Sequence, residues 1–308
     1  MSTQSNAVSE SLQAQRVGTV VIPPSRVFYW AVRRELWENR SIYLAPLSVA
    51  GVALLAFLLS AMAGVWQRHL RVGPEPPRAA VVMPFDIVAA LLMGTCILVS
   101  FFYCLDALHG ERRDRSILFW KSLPVSDLTT VLAKASIPLI VLPLLTFAIT
   151  VVTQWIMLLV GSAILLGSGV SLAMLWAKVG FTRMSLLLLY HLLTAHALWP
   201  FPVYCWLLLV SGWARRATFL WAALPVVAIS AVEVIVFRTW HFAALVGSRL
   251  IGAAPAFAEM PDEAFPSGPM THITLGAFLS SPGLWVGLAV AAVFLWLAVE
   301  VRRYREPI

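Results

Sequence analysis

Glu111, Arg112, Arg113, Asp114 and Arg115 stand side by side in an otherwise oily chain, and Ile117, Leu118, Phe119 and Trp120 follow them before Lys121. Positions 106–127 hold eight formally charged residues between two long apolar runs. Ionised groups of both signs beside Phe and Trp suit noncovalent docking, in which charge sets approach and register while aromatic anchors supply the buried contact. A solvated loop that only fixes orientation in a membrane is the simpler alternative, but it does not require the Phe119–Trp120 pair. Covalent and metal chemistry lack their usual marks, because neither GxSxG nor HExxH occurs.

Glu233 is the second residue of interest, standing alone in WAALPVVAISAVEVIVF. An ionisable group inside such a run costs at least about 2.5–3.5 kcal/mol on insertion scales, so it normally faces a bundle interior or a wet pathway. Three roles remain open for it: pathway or gating, a hydrogen bond to another helix, or proton coupling. Asp106 is the other candidate for a pathway or gating role, and it equally reads as a partner for Arg112 or Arg113. His191 and His196 are five residues apart, about 140° around an α-helix, which argues against a metal pair. Cys96, Cys104 and Cys205 have no metal or redox spacing and read as small packing residues. No metal site is expected. Ser267 and His272 resemble a nucleophile and base only superficially, since Pro266, Gly268 and Pro269 make the surroundings a turn.

The elements that hold these residues follow from composition. The 308 residues are 60% hydrophobic and 12% charged, with a mean hydropathy of +0.84. Soluble domains carry roughly 25% charged residues. Several apolar runs of about 20 residues have no aqueous solution except repeated membrane crossing as helices, and they are too continuous for barrel strands. The expected fold is therefore an all-α integral membrane protein, a six-helix transmembrane bundle with spans near 43–66, 84–107, 134–166, 185–210, 218–237 and 283–301. The third run exceeds the roughly 30 Å hydrocarbon core by well over a turn, so tilt, a kink at Pro138 or Pro143, or an extension must absorb the excess. Pro200 and Pro202 are expected to break the fourth run internally.

Residues 1–24 are polar and irregular, without a signal-peptide pattern, and read as a disordered cytoplasmic tail ahead of a single transmembrane domain over 25–308. With the N-terminus inside, fifteen basic residues fall on the cytoplasmic side and seven outside, as the positive-inside rule requires of six spans. The net charge of +7 and pI near 9.8 then reflect loops facing anionic lipid, and no nucleic-acid partner is expected. In SRVFYWAVRRELWENRSIY, residues 25–43, aromatic rings alternate with basic heads, which predicts an interfacial helix lying among lipid headgroups. The outer segment 238–282 has apolar pieces that dip partway into the bilayer without completing a crossing. Ser126 and Asp127 read as the cap of the helix that leads into the third span.

The order of the charged cluster, the aliphatic-aromatic stretch and then SLPVSDLTTVLAK (residues 122–134) resembles the loop between the second and third spans of type-2 ABC transporter permeases. The matching positions are Glu111, Arg112, Leu123, Pro124, Val125, Ser126 and Lys134, over about thirty residues. Many members carry Gly-Thr-Leu-Glu where this chain reads Arg115, Ser116, Ile117 and Leu118, which sets it apart from the commonest pattern. The resemblance implies that residues 111–123 form a cytoplasmic coupling helix that docks on a separate ABC ATPase subunit. Glu111, Arg112, Arg113, Asp114, Arg115, Phe119, Trp120 and Lys121 would make the contact. It also implies an exporter in a bacterial inner membrane, built from two membrane chains, identical or related, and two ATPase subunits. The chain has no GxxxxGK[ST] run, so ATP and Mg2+ are expected on the partner and no cofactor on this chain, which is itself non-catalytic. A secondary carrier or channel is the main alternative, weakened by the lack of an internal repeat and of intramembrane charge beyond Glu233. An intramembrane enzyme is weaker still.

Overall fold

The structure is a computed structural model that describes residues 23–70, 78–116, 118, 125–166, 172–251 and 275–304. The described residues are almost entirely helical, with no strand among them. Among the described residues the first element is α1 (Pro24–Glu38), an amphipathic helix begun by Pro24 at its first position, where a missing N–H costs nothing. Next come α2 (Ser41–Met62) and the short α3 (Val65–Leu70). At 1.5 Å per residue the 22 residues of α2 reach about 33 Å, the thickness of a hydrocarbon core. Then follow α4 (Arg78–Asp106) and α5 (His109–Arg113), which together with the turn between them form one long apolar run from Ala80 to Arg113.

The third apolar run is divided. Helix α6 (Asp127–Ser136) passes through a π-helical turn, Ile137–Val141, into α7 (Leu142–Leu165). Pro138 lies in that turn, where the wider spacing accommodates a residue that cannot donate to the preceding turn. The 39 residues Asp127–Leu165 form one candidate span through this turn, with α6 at its charged end. Helices α8 (Leu172–Val179) and α9 (Phe181–His191) are separated by Gly180, whose left-handed φ of 56° interrupts the helix within the stretch Leu175–Leu198. A second π-turn, Leu192–Leu198, leads to the break before α10 (Phe201–Trp213), and the two halves meet at 44°. Pro200 caps α10, so the expected proline break is present. The chain finishes with α11 (Thr218–Phe237), α12 (His241–Ile251), α13 (Leu275–Ser280) and α14 (Pro282–Tyr304).

Among the described residues five helices are long and apolar enough to cross a membrane, and a sixth crossing is made if the bent pair counts as one span. The core lies along two apolar clusters. One surrounds Met93, Tyr103, Leu142, Tyr204 and Ala291, the other Phe57, Trp66, Phe85 and Met157. In the second cluster Gly161 lets Trp66 approach so closely that a Cβ would lie 2.9 Å from the indole ring. Outside these clusters large side chains such as Leu55, Phe102, Ile235 and Trp296 are exposed. A surface of this kind suits lipid tails, which are as apolar as the side chains they touch.

The charged segment departs from the sequence reading. A single helix over 111–123 is expected, yet α5 ends at Arg113, and Arg115 adopts a left-handed φ of 56°, which breaks the helix before the aliphatic residues begin. The Glu111 side chain turns inward to Arg34, Lys134 and Arg302. Phe119, Trp120 and Lys121 lie outside the described residues.

Candidate functional site: a buried ion network at one end of the bundle

The charged end of the bundle is where α1, α5, α6 and α14 meet. Glu35 on α1 is 1% exposed. Its Oε1 accepts from Lys134 Nζ of α6 at 2.9 Å, and its Oε2 accepts from the Tyr103 hydroxyl at 2.8 Å. Glu111 of α5 is 2.7 Å from the Arg34 guanidinium and 3.1 Å from Lys134 Nζ, and it also pairs with Arg302 of α14. Arg302 donates in addition to Asp127 Oδ1 at 2.9 Å. The cations Arg34, Lys134 and Arg302 thus face the carboxylates of Glu35, Glu111 and Asp127. Burial works against the Arg34 charge, but the Glu35 and Glu111 carboxylates outweigh it and hold its pKa above the ordinary value.

The local sequence explains each position. Ser126 caps α6 as expected, its hydroxyl accepting from Thr129 N at 3.1 Å, and this directs the helix so that Lys134 points at Glu35 and Glu111. Four chain segments are tied by groups that cannot separate without leaving a charge buried, a change that costs about 3–5 kcal/mol. The network is thus a rigid junction between the first and last helices and the loop after α4.

The residues expected on one docking surface divide. Glu111 and Arg112 are interior, a correction to the sequence reading. Arg112 donates to the carbonyls of Gly212 at 2.7 Å and Ala214 at 3.2 Å, so it satisfies orphan acceptors at the C-terminus of α10. Arg113, Asp114 and Arg115 are exposed and form the turn that α5 presents outward. Arg113 reaches Asp114 at 3.1 Å and Asp106 at 3.9 Å, which fulfils one of the two pairings expected of Asp106.

Glu233 is not deep in its helix. It sits one turn before the end of α11 and accepts from Thr239 Oγ1, His241 N and Phe242 N, each at 2.8 Å. It caps α12, the hydrogen-bonded alternative among its three roles. Asp106 and Glu233 lie at opposite ends of the bundle, and the structure does not bring them together. Ser267 and His272 lie outside the described residues. No cluster of His, Cys, Asp or Glu that could hold a metal occurs among the described residues.

Sequence reasoning missed Glu35, Tyr103 and Arg302, and placed Arg34 among lipid headgroups. One signal was present: Lys134 is a lone cation in LTTVLAKASIPL, and an ionisable group so embedded requires a buried partner.

The fold and this junction define a multi-pass, all-α integral membrane protein. The chain matches no protein-family model, no curated protein and no solved structure.

Proposed function

We propose that the chain is the membrane subunit of an ATP-driven ABC exporter, in a cell membrane of the bacterial inner-membrane type, crossing six times with both ends in the cytoplasm. One observation supports this reading most: Glu111 and Lys134, matched residues of the permease-like loop, form an ion pair directly behind an exposed turn of Arg113, Asp114 and Arg115. A partner that grips the turn pulls on Glu111. Through Glu111 it pulls on α1, α6 and α14 together, because a buried ion network resists being opened at one link.

In this proposal the turn, with Phe119, Trp120 and Lys121 beyond it, docks on a cytoplasmic ABC ATPase that binds ATP and Mg2+. Closure of two such ATPases displaces the turns of two membrane chains, identical or related. The ATPase must bind two arrangements of the turn with different affinity, since a partner that binds both equally shifts nothing. Helix α11 buries only Ala222 within the chain among its described residues, so its face is available for a second membrane chain.

The test is purification of the tagged chain from its native membrane in a mild detergent, with identification of co-purifying proteins and an ATP-hydrolysis assay. A stoichiometric P-loop ATPase is expected. A chain that emerges alone and inactive toward ATP under several mild conditions would shift the reading to a carrier or membrane enzyme.

A further inference from the structure

At the end of the bundle opposite the ion network, α10, α11, α12 and α14 line a half-open apolar cavity of about 470 Å3, within the range of small-molecule pockets. Trp206, Ile229, Val290 and Phe294 are among its walls, and among the described residues the one charged side chain lining it is Arg249 of α12. The Arg249 guanidinium donates to the carbonyls of Trp199 at 3.0 Å and Gly283 at 2.6 Å, and it stacks 3.9 Å above the Trp199 ring. It fills the space that Gly287 leaves, where a Cβ would lie 2.5 Å from Nη1.

These contacts orient the cation without neutralising it, because carbonyls carry only partial charge. Among the described residues no carboxylate lies within ion-pair distance of Arg249. A cation beside lipid pairs with an opposite charge or with backbone carbonyls, and among the described residues Arg249 has the carbonyls alone, which leaves its charge open to an anion. The cavity also has a direction. Gly287, level with the guanidinium, is near the start of α14, and Phe294 lies seven residues further along the helix, roughly 10 Å toward the middle of the bilayer. Its polar end is therefore at the membrane boundary and its apolar end within, the same sense as a phospholipid in that leaflet.

We propose that this cavity binds an anionic phospholipid, its phosphate on Arg249 and an acyl chain along Val290 and Phe294. Guanidinium suits the headgroup because its planar fork pairs with phosphate oxygens through two N–H groups. The inference does not rest on the ABC reading and stands or falls without an ATPase.

Native mass spectrometry of the purified chain, titrated with phosphatidylglycerol, phosphatidylcholine or inorganic phosphate, tests it. Wild type should take up phosphatidylglycerol in preference to phosphatidylcholine. Arg249→Gln should weaken phosphatidylglycerol binding about tenfold, and Arg249→Lys should restore part of it. Val290→Trp, which fills the cavity while leaving the contacts of Arg249 in place, should weaken it likewise and decides the matter alone if Arg249→Gln does not fold. Unchanged phosphatidylglycerol binding in Val290→Trp, equal uptake of both lipids by wild type, or displacement of the lipid by inorganic phosphate at matched concentration would overturn the proposal.

Discussion

Lys134 Nζ lies 2.9 Å from Glu35 and 3.1 Å from Glu111, so one ammonium joins the N-terminal helix to the loop after α4. Both carboxylates and the ammonium are almost completely buried. Replacing Lys134 by Met should cost about 3–5 kcal/mol of stability, because two carboxylates lose a partner they cannot exchange for water. Lys134→Met combined with Glu35→Leu should cost less than the sum of the two single changes. Thermal unfolding in mild detergent measures this, and strictly additive effects would contradict the pairing.

Arg112 should behave as an internal residue and not as a docking group. Arg112→Ala strands the carbonyl of Gly212, while Ala214 keeps His109 Nδ1 at 3.3 Å, and should lower stability by about 1–3 kcal/mol. The loss should appear equally in the chain purified alone. A variant as stable as wild type that fails only in association would place Arg112 on the surface instead.

Much of the fold was legible because the apolar runs are uninterrupted. The fifth run, expected at 218–237, is helix Thr218–Phe237, and the expected break at Pro200 is where the fourth run bends. The course of the chain after Glu111 was not legible in the same way. Its residue types favour a helix through 123, but tertiary pairing draws Glu111 inward and Arg115 turns left-handed. The network itself joins residues far apart in sequence, Glu111 to Arg302 and Tyr103 to Glu35. Neither periodicity nor composition reports such pairings. The role of Glu233 stayed open because its donors, Thr239, His241 and Phe242, lie beyond the end of the run that holds it.

Glu233→Ala should weaken the start of α12 by about 0.5–2 kcal/mol, the cost of a lost cap. Hydrogen exchange should rise at His241 and Phe242 while the rest of the bundle keeps its protection. If Glu233→Gln instead abolishes transport with α12 still protected, the side chain serves the pathway.

Orientation can be read by thiol labelling without removing the native cysteines, since all three are buried. Arg216 and Arg238 are exposed at the two ends of α11. Arg216→Cys should react with an impermeant reagent only from the cytoplasm, and Arg238→Cys only from outside. The reverse pattern would invert the topology.

The most direct test of the transporter reading is photocrosslinking from the exposed turn in native membranes. A photoreactive residue at Arg115 should yield an adduct with a P-loop ATPase, and one at Arg238, at the opposite end, should not. Adducts lacking any ATPase from Arg113, Asp114 and Arg115 alike would contradict the account.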